Sequence, residues 1–207
     1  MTYLGFEVLE LNYNRIGGIE DRLHRKFVLL DPRTGKRKAD EQSPAPAGAR
    51  PFTWTAIGRD EITALRAFLE GRVGRAVPFW LPSYQWDLEL SEDVVITQGS
   101  ISIRWIRYVQ QMFGTTGARR HIALWTLGDG SVMDYYRIDD ADDPGDELTE
   151  SLTIDPAAVR AYSAETTVVS FLKLCRLELD EVSIAYPSGR TAESTIRVRE
   201  LPLEAPL

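Results

Sequence analysis

The chain has 207 residues, 43% hydrophobic and 27% charged, the balance of a globular protein with apolar residues enough for one generous domain or two small ones. Its formal net charge of −7 and pI of about 5.0 argue against a dedicated duplex-DNA binder, which takes most of its affinity from cationic side chains on phosphates. The single cysteine, Cys175, excludes an internal disulfide and fits folding in a reducing cytosol.

Residues 1–7 lack the basic and apolar regions of a signal peptide, and no apolar run approaches a membrane span, so no membrane anchor is expected. The chain opens on a strand-like pattern, with Phe6, Val8, Leu9 and Leu11 around Glu7 and Glu10. Residues 12–50 read as an extended arm. "RKFVLLD" (25–31) is a strand candidate, and "PRTGKRKADEQSPAPAGARP" after it is proline, glycine and charge with no core pattern. Arg33, Lys36, Arg37, Lys38 and Arg50 make its far half basic. "FTWTAI" (52–57) alternates as a half-buried strand does.

One helix is expected, from Arg59 to about Val73. Ile62, Leu65, Phe68 and Leu69 make one apolar stripe, Asp60 and Glu61 sit in the first turn, and Gly71 and Gly74 offer stops. Short strands follow at 87–90, 93–96, 100–105, 120–127, 132–138, 151–154, 166–177, 181–186 and 194–201, punctuated by "GDG", "DDPGD" and "PSG". "WIRYVQQMF" (105–113) fits either a strand or a short helix. The class is mainly β with one α-helix.

Little in the chain points to chemistry. His24 and His121 are far apart and neither has a metal-type neighbour. Cys175 lies in an apolar run, as buried inert cysteines do. "SFLK" (170–173) has Ser-x-x-Lys spacing, but that chemistry needs a helix and the run is β-rich. The acidic "DDADDPGDE" (139–147) departs from a calcium loop, with Pro144 at the fifth position counted from Asp140 and no glutamate at the twelfth. No phosphate-binding or nucleophile-elbow motif occurs. No catalytic, cofactor or metal site is expected. Trp80, Tyr84, Trp86, Trp105, Trp125, Tyr135 and Tyr136 fit a core, an interface or a carbohydrate-binding face.

The stretch "WTAIGRDEITALRAFLEGRVGRAVPFWLPSYQW" (54–86) resembles the minor tail protein M family of long-tailed, lambda-type phages. That family runs a strand into a helix ending in Phe-Leu, then glycine, then an aromatic strand with Trp-x-Pro and Tyr-x-Trp. The matching positions are Phe68, Leu69, Phe79, Trp80, Pro82, Tyr84 and Trp86. "LKLCRLELDEVSIAYPSGRTAESTIRVRELP" (172–202) is similar to the family's closing strands, and together the two segments cover about a third of the chain. The whole chain also looks like larger tail proteins of phages and prophages of GC-rich bacteria.

The resemblance implies a tail-tube-like β-sandwich or split barrel flanked by one helix, with the aromatic residues packing helix to sheet. It also implies a homo-oligomeric ring in the virion, sixfold or, as second choice, threefold. Such a ring joins the tail tube protein to tail-tip hub proteins, passes DNA through its lumen without specific binding, and is assembled in the host bacterial cytoplasm. Residues 89–165 have no counterpart in the short family members and read as an inserted β-rich module in a core made of 1–88 and 166–207. A module leaves and re-enters its host at nearby points, so the strands ending near Leu88 and beginning near Thr167 are expected to be neighbours. Two other readings stay open: a carbohydrate- or receptor-binding module with 89–165 as its face, and a cell-wall hydrolase.

Overall fold

Alternating apolar and polar residues place one face of a strand in a core, and this pattern accounts for most of the architecture. In the computed structural model the protein is mainly β with one α-helix. The structure describes residues 1–10, 22–24, 27–30, 38–41, 47–114, 119–128 and 132–206. Strands β1 (Thr2–Tyr3) and β2 (Phe6–Glu7) form a tight pair, turned at Leu4 and Gly5, both with positive φ. Then come β3 (Arg22–His24), a hairpin of β4 (Phe27–Leu30) and β5 (Lys38–Glu41), β6 (Ala47–Ile57) and helix α1 (Arg59–Gly71). They are followed by β7 (Phe79–Pro82), β8 (Ser100–Arg104), a π-helical turn at Val109–Phe113, β9 (His121–Thr126), β10 (Asp134–Asp142) and β11 (Thr149–Asp155). Strands β12 (Thr167–Leu177), β13 (Ile184–Ser188) and β14 (Thr191–Glu200) close the chain.

The chain divides into two compact units. The first comprises Met1–Glu10, Phe79–Leu174 and Glu204–Leu207, and the second Leu11–Pro78 and Cys175–Leu203. In the first, the antiparallel order is β12, β9, β10, β11, β8. Its core gathers Ile101, Ile103, Ile122, Leu124, Tyr136 and Leu152 among others. In the second, β6 and β14 pair over a long register from Ala49↔Arg199 to Ile57↔Thr191, with β3 beside β6 and with β13 and the end of β12 beside β14. Ala192, Ser194, Ile196 and Val198 face inward from β14 while the residues between them are exposed. Strand β12 is buried at nearly every position, the pattern of a central strand covered on both faces.

These units cut the chain outside the span 89–165. Ser83 N–H donates to Phe171 O at 2.9 Å, Asp87 N–H donates to Val169 O at 3.1 Å, and Leu88 bridges Val169. Residues 79–88 and 167–174 are thereby zipped to each other in one unit with 89–165. The expected adjacency of Leu88 to the start of β12 is present.

The helix lies where its stripe placed it, with Leu65 and Phe68 buried and Asp60 and Glu61 in its first turn. Gly58 (φ 89°) makes the entry turn without a side-chain cap, and Gly74 (φ 61°) lies just beyond the exit. The 93–96 strand reduces to one bridge, Val94↔Tyr162. Of the 105–113 segment, Val109–Phe113 is a π-helical turn, and its reason is Glu150. This fully buried carboxylate accepts hydrogen bonds from the amides of Ile106 and Tyr108 at 3.0 Å and Val109 at 2.9 Å, replacing the partners that a helix start lacks. Of the expected arm, residues 47–50 belong to β6, where Arg50 pairs with Val198. Arg33, Lys36 and Arg37 lie outside the described residues, and Lys38 pairs with Leu30 in the β4–β5 hairpin.

Candidate interaction site

The aromatic stretch after the helix ends in one exposed ring. Phe79, Trp80, Pro82 and Tyr84 are all buried, because β7 runs beside β12 and is covered by the first strand pair. Trp80 Nε1 donates to Tyr3 O at 2.8 Å, and its ring lies 4.7 Å from that of His121 and 5.5 Å from that of Tyr3. Tyr84 adopts φ 55°, and its hydroxyl donates to Leu9 O at 2.7 Å. The rings expected to pack helix to sheet therefore hold residues 1–10 onto their own unit. Trp86 departs from the run, at 43% exposed, whereas Trp54, Trp80 and Trp125 are buried.

His121 is the polar centre of this cluster and was not singled out by sequence, where only its lack of metal-type neighbours was visible. It is buried. Its Nε2 lies 2.8 Å from Pro206 O and its Nδ1 3.0 Å from Tyr3 Oη. The carbonyl can only accept, so Nε2 carries the proton and Nδ1 accepts from the tyrosine hydroxyl. Burial holds the imidazole pKa below its ordinary 6.5; the Pro206 bond opposes this, and the positive charges of Arg137 and Arg120 lower it a little further. Burial likewise raises Tyr3, and it raises Tyr135, whose hydroxyl also donates to Glu10 at 2.8 Å.

In the second unit, Phe68 and Leu69 occupy neighbouring positions with different roles. Phe68 is buried, with the Arg72 guanidinium 4.6 Å over its ring. Arg72, itself buried, donates from Nε to Phe68 O at 3.3 Å and from its terminal nitrogen to Pro78 O at 3.2 Å, which fixes the helix exit. Leu69 instead lines a groove of about 320 Å³ with Leu177, Val182 and Ile184, rimmed by Arg66, Glu70 and Asp180. Asp180 clamps the loop after the helix, accepting from the Arg75 amide at 3.1 Å and from its guanidinium at 3.0 and 2.9 Å. Val73 and Leu179, beside two groove-lining residues in the chain, are exposed.

The acidic 139–147 segment forms the end of β10 and a turn stabilised from within. Asp146 accepts from the amides of Leu148 and Thr149, which hold its carboxyl below the usual range, and Asp143 accepts from the Gly145 amide. No group of three or more His, Cys, Asp or Glu side chains suited to a metal occurs among the described residues. Among the same residues no helix is long and apolar enough to cross a membrane. No protein-family model matches the chain. A search of curated proteins finds no match either.

Proposed function

We propose that the protein is a structural component of a phage tail tip, acting by assembly with copies of itself and without catalysis. It closes into a ring, sixfold with threefold as second choice, between the tail tube protein and the tail-tip hub proteins. The observation that carries this reading is Trp86, a 43% exposed indole at the end of an otherwise buried aromatic run. Exposed tryptophans are enriched at the energetic centres of protein interfaces. The Trp-x-Pro and Tyr-x-Trp resemblance supplies the kind of assembly, and the Leu69 groove supplies a second surface with apolar floor and charged rim. A carbohydrate-binding face on residues 89–165 is weakened by burial of three of the four rings it would need, Trp125, Tyr135 and Tyr136, with Trp105 half-buried.

Native mass spectrometry and electron microscopy of the purified protein test the reading, and rings with a central hole are the expected result. Trp86→Ala should keep the thermal midpoint within about 2 °C, as surface substitutions do, and lower the ring population at least tenfold. A strictly monomeric state, alone and in assembled virions, overturns the proposal. The basic arm belongs to the same reading: reversing Lys36, Arg37 and Lys38 to glutamate should impair assembly, since such charges guide register and encounter. Unchanged assembly at low and moderate salt removes the arm from it.

A further inference from the structure

We infer that His121 is a proton-sensitive latch that fastens both the first strand pair and the 204–206 segment to the first unit. The geometry is that of a two-sided clamp. One ring nitrogen engages Tyr3 from the β1–β2 pair and the other engages Pro206 from the closing segment, while the ring packs against Trp80 at 4.7 Å with its plane tilted by 51°. The imidazole is 1% exposed, so a charge on it has no water to stabilise it.

The groups around the ring reinforce that preference. Arg137 faces it across the strand pair, since Arg137 and His121 are register partners in β10 and β9, and Arg120 stands just before the start of β9. Arg137 is engaged by Asp139 at 2.5 Å and Asp155 at 3.5 Å, and the Arg120 guanidinium sits 4.4 Å over the Phe113 ring. From the other elements come Tyr3 and Tyr135, whose rings lie 5.7 Å apart, and Glu10, bonded to Tyr135. Both tyrosines are neutral at the pH of interest because burial raises them. No carboxylate bonds the ring directly, since both its nitrogens are taken by Tyr3 and Pro206.

The sign follows. The latched state holds a histidine that binds its proton less readily than the released state, where the ordinary value of 6.5 applies. Stability of the latch is complete above 6.5 and is lost as pH falls toward the latched-state value. Each pH unit in that window raises the released fraction by about tenfold. Release uncovers Trp80 and Tyr3, so acid exposes an aromatic surface that neutral pH keeps inside.

The test is nuclear magnetic resonance on the full chain between pH 8 and 4.5. Three readouts are followed: the His121 ring titration, the heteronuclear Overhauser effect at Ala205, and amide exchange at Leu9, whose N–H donates to Trp80 O at 2.9 Å. Exchange is corrected for its intrinsic pH dependence. The latch predicts that Ala205 loses order and Leu9 loses at least tenfold protection together with the His121 midpoint. It also predicts that His121→Gln, which keeps a neutral donor and acceptor, stays ordered at pH 5. Order maintained through the His121 midpoint overturns the inference, as does the same acid loss in His121→Gln. Should that variant not fold, coincidence or separation of the three wild-type midpoints decides alone.

Discussion

Replacing Glu150 by glutamine should cost far more than a change of two atoms on one side chain suggests. One carboxylate oxygen accepts from Ile106 and Tyr108 and the other from Val109. An amide oxygen can keep the first pair, at reduced strength because the charge is gone. The amide nitrogen then confronts the Val109 N–H, donor against donor. A buried hydrogen bond to a charged group contributes about 1.5–3 kcal/mol, and an unsatisfied buried donor costs about 1–3 kcal/mol. Glu150→Gln should therefore destabilise its unit by about 2–4 kcal/mol, and Glu150→Ala by about 3–5 kcal/mol. Urea denaturation followed by near-UV circular dichroism reads this as a lower midpoint at unchanged slope. The exposed neighbour Ser151 is the control, and its alanine variant should stay within about 0.5 kcal/mol. Faster amide exchange at Tyr108 and Val109 should accompany the loss. A Glu150→Gln variant as stable as the Ser151 control would refute the claim that this carboxylate organises 105–113.

Gly74→Ala should destabilise the second unit by more than about 1 kcal/mol, because a side chain at positive φ is strained. The added Cβ would also sit 2.8 Å from an Asp180 carboxylate oxygen and 3.3 Å from its Cα. A thermal midpoint equal to wild type would contradict this. Burial raises the pKa values of Tyr3, Tyr108, Tyr135, Tyr136 and Tyr162 above 10.0. The stability these groups contribute is complete below pH 10 and is lost as pH rises beyond it. Absorbance at 295 nm should show five of the eight tyrosines ionising only in a cooperative alkaline unfolding step, and gradual ionisation of all of them before unfolding would count against it.

Elements with strong periodicity were legible from sequence. The stripe of Ile62, Leu65, Phe68 and Leu69 marks the helix, and alternation marks the inward face of β14, because each depends on residues close in the chain. The 105–113 segment was ambiguous because its partner is long-range. Yet Glu150 held a clue, standing two residues before Leu152 and four before Ile154, all three buried on one face. A carboxylate in a core register needs donors, and the amides of Ile106, Tyr108 and Val109 are those donors. Trp86 looks like its aromatic neighbours in sequence, but it lies beyond the end of β7 at Pro82 and is exposed. The role of His121 has no local signature, because both its partners lie far away in sequence, at Tyr3 and Pro206.

The pairing of β6 with β14 has a consequence for synthesis on the ribosome. Among the described residues, β6 is paired with Thr191–Glu200 and, at its first residues, with β3. Until that last strand emerges, an eleven-residue strand carrying Phe52 and Trp54 has most of one edge open. Long-range pairing of this kind is slow to form and leaves the nascent chain exposed to aggregation. Ribosomal pausing or truncation shortly before residue 191 would release a chain whose longest early strand is still seeking a partner, and another nascent copy offers the same open edge.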